Sequence, residues 1–316
     1  MPQTRTSGDL GFRIGTGLFG FVVIAIVGMI AFELTRQSLP TIQKFGLNFW
    51  RTQTWDPIAG QFGALPFIWG TLYSSILALA IAAPIALGIA VFIAELCPAR
   101  IQRPLVFLTE LLAAIPSIVY GLWGVFVLVP AVRALETSMP EVLRRLPIFS
   151  GPARGVGMLS AALILAIMVV PFTSSVAREV LKSVPNTQRE GAYALGATRL
   201  EAIRAALFYA RTGILGAVML GFGRALGETM AVTMVIGNDP NVTASLFAPQ
   251  YTMAAVLANE FSEAADPLHL SALVEIGLVL FTITLIVNLL SRLLIWSMAR
   301  SARGPAVATA TQAAAA

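Results

Sequence analysis

Residues 14–32 read IGTGLFGFVVIAIVGMIAF, a stretch without a single charged side chain. A helix of about 20 apolar residues crosses the hydrocarbon core of a bilayer. The stretch is too long for the core of a signal peptide, and no small-residue cleavage pattern follows it, so we expect a retained membrane span. Together with five similar segments, the predicted spans are 12–34, 66–95, 105–132, 155–177, 212–237 and 271–297.

The composition indicates the same class of protein. Hydrophobic residues make up 57% of the chain and charged residues 12%, whereas soluble domains carry about 25% charged residues. The sequence therefore predicts an all-α polytopic membrane protein with about six transmembrane helices. We divide it into an N-terminal span with an outer loop (1–65), a core (66–298) that includes a cytoplasmic loop (178–211), and a low-complexity tail (299–316) that we expect to be disordered.

Several functions are excluded by residues that the chain lacks. With one cysteine, Cys97, and one histidine, His269, the chain has neither an intramolecular disulfide nor an H-E-x-x-H site. We expect no bound metal, no catalytic residues and no cofactor. The sequence contains no P-loop motif, so ATP would have to be used by another chain. The net charge of +5 is explained by membrane orientation, and we expect no nucleic-acid partner.

The distribution of basic residues predicts that both termini are cytoplasmic. This orientation places thirteen Lys and Arg residues inside and seven outside, as the positive-inside rule requires. The predicted outer loop 238–270 contains no Lys or Arg. The segment 133–154 does not fit, because it carries four arginines on the outer side, and a missed span there would reverse the orientation of everything after it. In the outer segment 35–65, Trp50 and Trp55 fit either an interfacial aromatic belt or a surface for an external partner.

The cytoplasmic loop contains NTQREGAYALGATRLEAIRAALFYAR at 186–211. Capping boxes are possible at Thr187 with Glu190 and at Thr198 with Glu201, and Gly196 is suited to a left-handed helix end. The pattern predicts two short helices with a sharp bend. Their apolar faces would come from Ala192, Leu195, Ile203 and Leu207. A helix pair of this kind either lies on the membrane surface or docks in a groove of another protein, and its length favours docking.

Two charged residues fall inside the fifth predicted span, within GFGRALGETMAV at 221–232. Arg224 and Glu228 are four residues apart, so on one helix they share a face, and each costs about 2.5–3.5 kcal/mol at mid-membrane. They indicate either a substrate pathway or an ion pair that locks neighbouring spans. Gly223 and Gly227 form a G-x-x-x-G pattern, which lets another helix approach closely.

The chemistry of this pair favours an oxyanion. A guanidinium can donate two parallel hydrogen bonds to an oxyanion and stays charged. We expect Glu228 to pair with Arg224 when no substrate is bound, or to accept a hydrogen bond from a protonated phosphate oxygen, which sulfate cannot provide.

Other features of the spans are interpreted as structural. Glu110 and Glu275 are expected near the inner and outer interfaces respectively, and Pro84, Pro116 and Pro171 are expected to kink their helices.

Four motifs identify a family. Glu190-Gly191-Ala192 followed by Gly196 resembles the EAA loop of ATP-binding-cassette importer permeases. ELLAAIPSIVYGLWG (110–124), VPFTSSVAREVLKSVP (170–185) and GRALGETMAVTMVIGN (223–238) are similar to the phosphate-specific importers. Within that family the chain resembles the C-type membrane subunit more than the A-type.

The resemblance implies a type I ABC importer permease fold and a phosphate permease subunit that is not an enzyme. The implied partners are an A-type permease forming a heterodimer, a cytoplasmic ATPase dimer that uses ATP and Mg, and a periplasmic phosphate-binding protein. The implied location is the bacterial inner membrane, in contact with membrane lipid. The residues implied in ATPase coupling are Glu190, Gly191, Ala192, Leu195 and Gly196.

Four alternatives remain at this point. The first alternative is another oxyanion, sulfate or molybdate, as the cargo, and the second is the A-type permease as the identity of the chain. The other two are a membrane enzyme acting on lipid head groups and a carrier driven by protons through Glu228.

Overall fold

The computed structural model describes residues 7–301, and these residues form helices and no β-strand. The α-helices in this part of the chain are α1 (Ser7–Phe45), α2 (Leu65–Val91), α3 (Ala99–Ala114), α4 (Ser117–Trp123), α5 (Val129–Ser138), α6 (Glu141–Arg144), α7 (Met158–Lys182), α8 (Asn186–Ala194), α9 (Arg199–Leu226), α10 (Met230–Val235), α11 (Met253–Glu260) and α12 (Pro267–Ser301). Residues 299–301 of the predicted tail belong to α12, and the remainder of that tail lies outside the described residues.

Within the described part of the chain, six helical segments are long and apolar enough to cross a membrane, as predicted. They are Phe12–Trp50, Leu65–Leu96, Ser117–Ser138, Met158–Lys182, Arg199–Leu226 and Pro267–Met298. The number of spans is therefore confirmed, and two of the predicted boundaries are wrong.

The third predicted span is broken instead of kinked. Ile115 is extended (φ −62°, ψ 130°), and the chain restarts as α4 after Pro116. A residue before proline avoids the helical region, and proline has no N–H for the helix ladder. Pro84 and Pro171, in contrast, remain inside α2 and α7.

The fifth predicted span is displaced along the sequence. It begins at Arg199, inside the predicted cytoplasmic loop, and ends at Leu226. The second short loop helix is therefore the first part of α9, and residues 227–229 separate α9 from α10. Because the predicted span 212–237 crosses this break, its residues 227–237 do not form part of the same helix.

The centre of the bundle is built from α2, α7 and α9. One side of α2 carries alanines four residues apart, all fully buried, and small residues of this kind let helices approach closely in membranes. They are Ala78, Ala82, Ala86 and Ala90. Gly221 of α9 serves the same purpose against α7, because a Cβ there would lie 2.3 Å from Thr173 Oγ1.

The N-terminal ends of α2 and α12 are covered by an aromatic cluster. The ring of Trp55 lies 4.9 Å from the rings of both Phe62 and Phe67, and its Nε1 donates to Glu260 Oε2 at 2.9 Å. Trp55 is therefore a packing residue of the loops at this end of the bundle. Burial raises the pKa of the neighbouring Tyr251 to about 12, and the charge of Glu260 adds to this shift.

The N-terminal span is mostly uncovered. The most apolar stretch of α1 buries none of its residues against the rest of the chain, and Phe12 and Phe19 are each 75% exposed. Only the later part of α1 packs on α12, where Thr41 Oγ1 donates to Ser271 Oγ at 2.8 Å. The exposed apolar stretch must be covered by lipid or by another chain.

Two carboxylates of the bundle have environments that the sequence did not predict. Glu275 lies eight residues into α12, is 3% exposed, and its Oε2 has no hydrogen-bond partner among residues 7–301. It is buried against neighbouring helices in the first part of α12. Glu110 accepts from Arg178 Nη2 at 3.2 Å, and this contact neutralises a guanidinium that is itself buried.

Candidate functional site

Arg224 lies at the middle depth of the bundle. Its guanidinium carbon is 5.6 Å from the centre of the Phe172 ring. Phe172 is near the midpoint of α7, between Met158 and Lys182. A cation over an aromatic face is stabilised by about 0.5–2 kcal/mol, depending on solvation.

The Arg224 side chain points out of the chain and has no carboxylate partner. It is exposed, and it takes part in none of the ion pairs found between residues 7 and 301. A bare arginine facing lipid at this depth costs about 2.5–3.5 kcal/mol or more. Its surroundings in the membrane must therefore be water or another protein, not lipid.

Glu228 lies on a different element from Arg224, so the predicted shared helix face is wrong. Helix α9 ends at Leu226, and Gly227 (φ −95°, ψ 0°) leads into the break. The half-buried Glu228 turns toward the start of α10, with Oε1 3.5 Å from the backbone N of Ala231. In this conformation, the described residues include no Arg224–Glu228 ion pair.

The short helix α10 is held against α4 and the outer end of α7. A Cβ on Gly121 would lie 2.6 Å from Met234 Sδ, so α4 and α10 touch closely. At its far end, the carbonyl of Val235 accepts from Gly157 N at 3.0 Å. Non-helical backbone at membrane depth is tolerated where it is buried in protein or lines a water-filled cavity. The break at 227–229 therefore indicates such a place.

The two glycines predicted for helix packing are not used within the chain. Nothing lies within 4 Å of a Cβ built on Gly223. A Cβ built on Gly227 lies near only Gly223 O, at 3.9 Å. The glycines that contact α7 are Gly221 and Gly213, the latter 2.5 Å from Val180 Cγ1. Gly223 on α9 and Gly227 directly after its end thus leave an open strip beside Arg224.

The segment between α7 and α9 contains the predicted bend. Gly196 has φ +82°, and its N–H donates to Tyr193 O at 2.9 Å. The capping box at α9 is confirmed, because Glu201 Oε2 accepts from the backbone N of Thr198 at 2.7 Å. The other predicted capping box is wrong: α8 starts at Asn186, behind Pro185, without a side-chain cap.

The exposed apolar surface of the loop is formed in part by residues other than those predicted. Leu195 is 91% exposed and Tyr193 is 50% exposed, and both project from the end of α8. Ile203 and Leu207 instead lie on the buried side of α9, facing the bundle, where Leu207 packs against the inner core. Glu190 and Gly191 are exposed and Ala192 is half-buried, so most of the EAA-type residues face outward.

An ion pair that sequence analysis missed ties this loop to the bundle. Arg189 of α8 donates from Nε to Glu95 Oε1 at 3.2 Å and from Nη1 to Val184 O at 2.9 Å. Arg199 Nη2 donates to Glu95 O at 2.7 Å. Glu95 lies in a π-helical turn, Phe92–Leu96, at the inner end of α2. Because Glu95 and Arg189 are far apart in sequence, no local pattern predicts their contact.

These features define the membrane subunit of a transporter: six spans, an unpaired mid-membrane arginine beside a helix break, and an exposed bent loop fixed to the bundle. Residues 86–300 match the family described as binding-protein-dependent transport system inner membrane component. The chain belongs to this family and, within it, to the permease proteins named PstC.

Named relatives cover nearly the whole chain. A phosphate transport system permease protein PstC of Mesorhizobium japonicum is 44% identical over 90% of this chain and 89% of its own length. The protein of the same name in Haemophilus influenzae is 46% identical over 91% of this chain and 93% of its own length. A probable PstC of Methanocaldococcus jannaschii is 38% identical over 88% of this chain and 91% of its own length.

The fold is found in a solved ABC transporter. A chain of the MetNI methionine ABC transporter, in an inward-facing conformation, superposes with a TM-score of 0.58 at 15% identity, covering 78% of this chain and 99% of that one. The likeness confirms the predicted all-α type I importer permease fold.

Proposed function

We propose that this chain is the permease subunit of an ATP-driven inorganic phosphate importer in a bacterial inner membrane. The observation that carries the proposal is the 44–46% identity, over about nine tenths of both chains, to permeases named for phosphate transport. The chain contains no P-loop motif, and ATP with Mg is used by a partner ATPase. The substrate path forms between this chain and a homologous A-type permease.

Arg224 is the anion-binding residue of the path. It is exposed on the chain at the middle depth of the bundle, lies over the Phe172 ring, and is next to the uncovered strip of Gly223 and Gly227. A helix of the A-type permease that approaches this strip encloses the guanidinium. The enclosed space is polar because the guanidinium lies in it. Removal from bulk water strengthens the guanidinium–phosphate interaction.

Glu228 is the selectivity residue of the same path. The break at Gly227 brings its carboxylate to the start of α10 instead of the Arg224 face. It is therefore free of Arg224 and can accept a hydrogen bond from a protonated phosphate oxygen. Sulfate is fully ionised near neutral pH and is repelled there, so the acceptor discriminates between two anions of the same shape.

The bent loop is the contact with a cytoplasmic ATPase dimer. The contact residues are Glu190, Gly191, Ala192, Leu195 and Gly196. Leu195, almost fully exposed at the bend, is suited to enter a groove of another protein. This assignment places both termini in the cytoplasm and the aromatic cluster around Trp55 outside, where a periplasmic phosphate-binding protein docks.

The test is uptake by the reconstituted complex. The chain is purified with its co-purifying partners, placed in liposomes with the phosphate-binding protein, and given labelled phosphate with and without ATP. We expect ATP-dependent uptake that excess unlabelled phosphate suppresses and excess sulfate does not. In Glu228→Ala, sulfate should compete more strongly. Equal competition by sulfate in the wild type, or uptake without any ATPase, would contradict the proposal.

A further inference from the structure

The arginine-rich segment that did not fit the charge rule forms part of a concavity. The concavity has a volume of about 330 Å³ and lies between α5 and the loop that precedes α7. Its lining residues are Val129, Pro130, Arg133, Ala134, Thr137 and Arg154. Two guanidinium groups from different segments therefore border one small space.

The loop that carries Arg154 is fastened to α5. Gly155 has φ +75°, and a Cβ on it would lie 2.2 Å from Val129 O and 2.9 Å from Arg133 Cβ. Only glycine fits such a position. Glu136, 2% exposed, accepts from the backbone N of Gly155 at 2.8 Å. The close contact of the Gly155 backbone with α5 therefore holds the neighbouring Arg154 beside Arg133.

The two arginines are unpaired, although acidic residues lie nearby. Neither Arg133 nor Arg154 forms an ion pair in the described part of the chain, whereas Arg145 in the same segment pairs with Glu141 at 3.6 Å. The buried Glu136 interacts electrostatically with Arg133 and Arg144, and one of its oxygens is already engaged by Gly155. Because Arg133 and Arg154 line the concavity and Glu136 is a single buried carboxylate, the surface of the concavity is net positive.

We propose that this concavity binds a small tetrahedral oxyanion at the outer face of the chain, separately from Arg224. The two guanidinium groups supply planar donors suited to oxyanion oxygens, and the volume admits a hydrated ion. The inference rests on the proposed function for the sidedness of the site and for phosphate as the anion. An oxyanion that has been released outside the membrane and then binds in this concavity stays near the outer end of the path.

Equilibrium binding of inorganic phosphate tests the site. The purified complex in nanodiscs, without ATP and without the binding protein, is dialysed against labelled phosphate at low ionic strength, because exposed charges are strongly screened by salt. In the double variant Arg133→Ala/Arg154→Ala we expect phosphate affinity at one class of site to fall about tenfold or more. Arg145→Ala, from the same segment but paired with Glu141, is the matched control and should bind as the wild type does.

A second pair of variants separates this site from the proposed path. Arg224→Ala should abolish uptake and leave phosphate binding in the outer concavity intact. An error in the proposed cargo would therefore appear in the uptake measurement, and an error in the proposed site would appear in the binding measurement. Arg133→Lys/Arg154→Lys keeps the charge and should retain part of the binding, and an unchanged melting temperature shows that the alanine variant is folded. Unchanged binding in the folded alanine double variant would overturn the inference.

Discussion

Arg189 and Glu95 join the bent loop that contains Gly196 to the C-terminal end of the second span. Both side chains are largely buried, at 19% and 11% exposure, and the guanidinium reaches both carboxylate oxygens, Oε1 at 3.2 Å and Oε2 at 3.3 Å, through Nε. The same arginine donates to Val184 O and Leu181 O, at the end of α7. Helix α8 therefore cannot shift without pulling on α2 and α7 together.

Removal of this ion pair should uncouple ATP hydrolysis from transport. Hydrogen bonds to charged groups contribute about 1.5–3 kcal/mol, so Arg189→Ala should lower phosphate uptake by about tenfold or more while the ATPase still binds and hydrolyses ATP. The measurement is uptake and ATPase activity in the same proteoliposomes. Arg204→Ala, on an exposed position of α9, is the control. If uptake per ATP were unchanged in Arg189→Ala, the ion pair would have no part in coupling.

Arg224→Ala should abolish transport without unfolding the chain. The side chain makes no ion pair among the described residues and is exposed on the chain, so its loss costs little stability. Loss of a charge-assisted contact to the anion, about 1.5–3 kcal/mol, predicts a fall in uptake of roughly ten- to a hundredfold. Arg211→Ala is matched, since Arg211 lies on the same helix with its guanidinium 4.2 Å from the Phe208 ring. Equal loss in both variants would argue against a specific role for Arg224.

The bend of the cytoplasmic loop should tolerate no proline. Gly196→Pro imposes φ near −65° where the backbone has φ +82° and removes the N–H that donates to Tyr193 O. We expect uptake to be lost and co-purification of the ATPase to fall severalfold. Gly196→Ala should cost about 1–2 kcal/mol for its left-handed conformation and give a milder defect. Gly88→Ala, in open space on α2, should behave as the wild type, and normal uptake in Gly196→Pro would instead indicate a carrier that does not need the loop.

Two glycines of α9 should respond differently to a larger side chain. Gly221→Val must collide with Thr173 Oγ1, 2.3 Å from the added Cβ, so this variant should fold poorly and lose thermal stability. Gly223→Val meets nothing within 4 Å, so the chain should remain folded while its association with the A-type permease weakens. The measurements are melting temperature and co-purification. A normal complex in Gly223→Val would show that this strip does not face the partner.

The sequence predicts those features that depend on neighbouring residues. The six spans follow from long apolar stretches, and the bend follows from Gly196 with the Thr198–Glu201 capping box. The end of α9 at Leu226 could not be predicted in the same way, because an apolar stretch continues through the break and hydropathy does not report backbone conformation. The predicted Arg224–Glu228 face failed for this reason.

Features that depend on distant residues could not be predicted. The contact of Arg189 with Glu95 and the burial of Glu275 are set by how the spans pack, which one sequence does not specify. The four arginines of 133–154 were visible as an exception to the charge rule. Their arrangement depends on Gly155 lying against α5, and nothing in the local pattern indicates that approach.

The unbroken length of α9 has a mechanical consequence. From Arg199, next to the bend, to Arg224 the helix is continuous, and at 1.5 Å per residue it is a rod of about 37 Å. A tilt of about 10° at the Arg199 end would therefore swing the guanidinium sideways by about 6 Å. The gap before α10 lets that swing occur while α10 stays in place against α4, so the Arg224 side chain moves past a stationary wall.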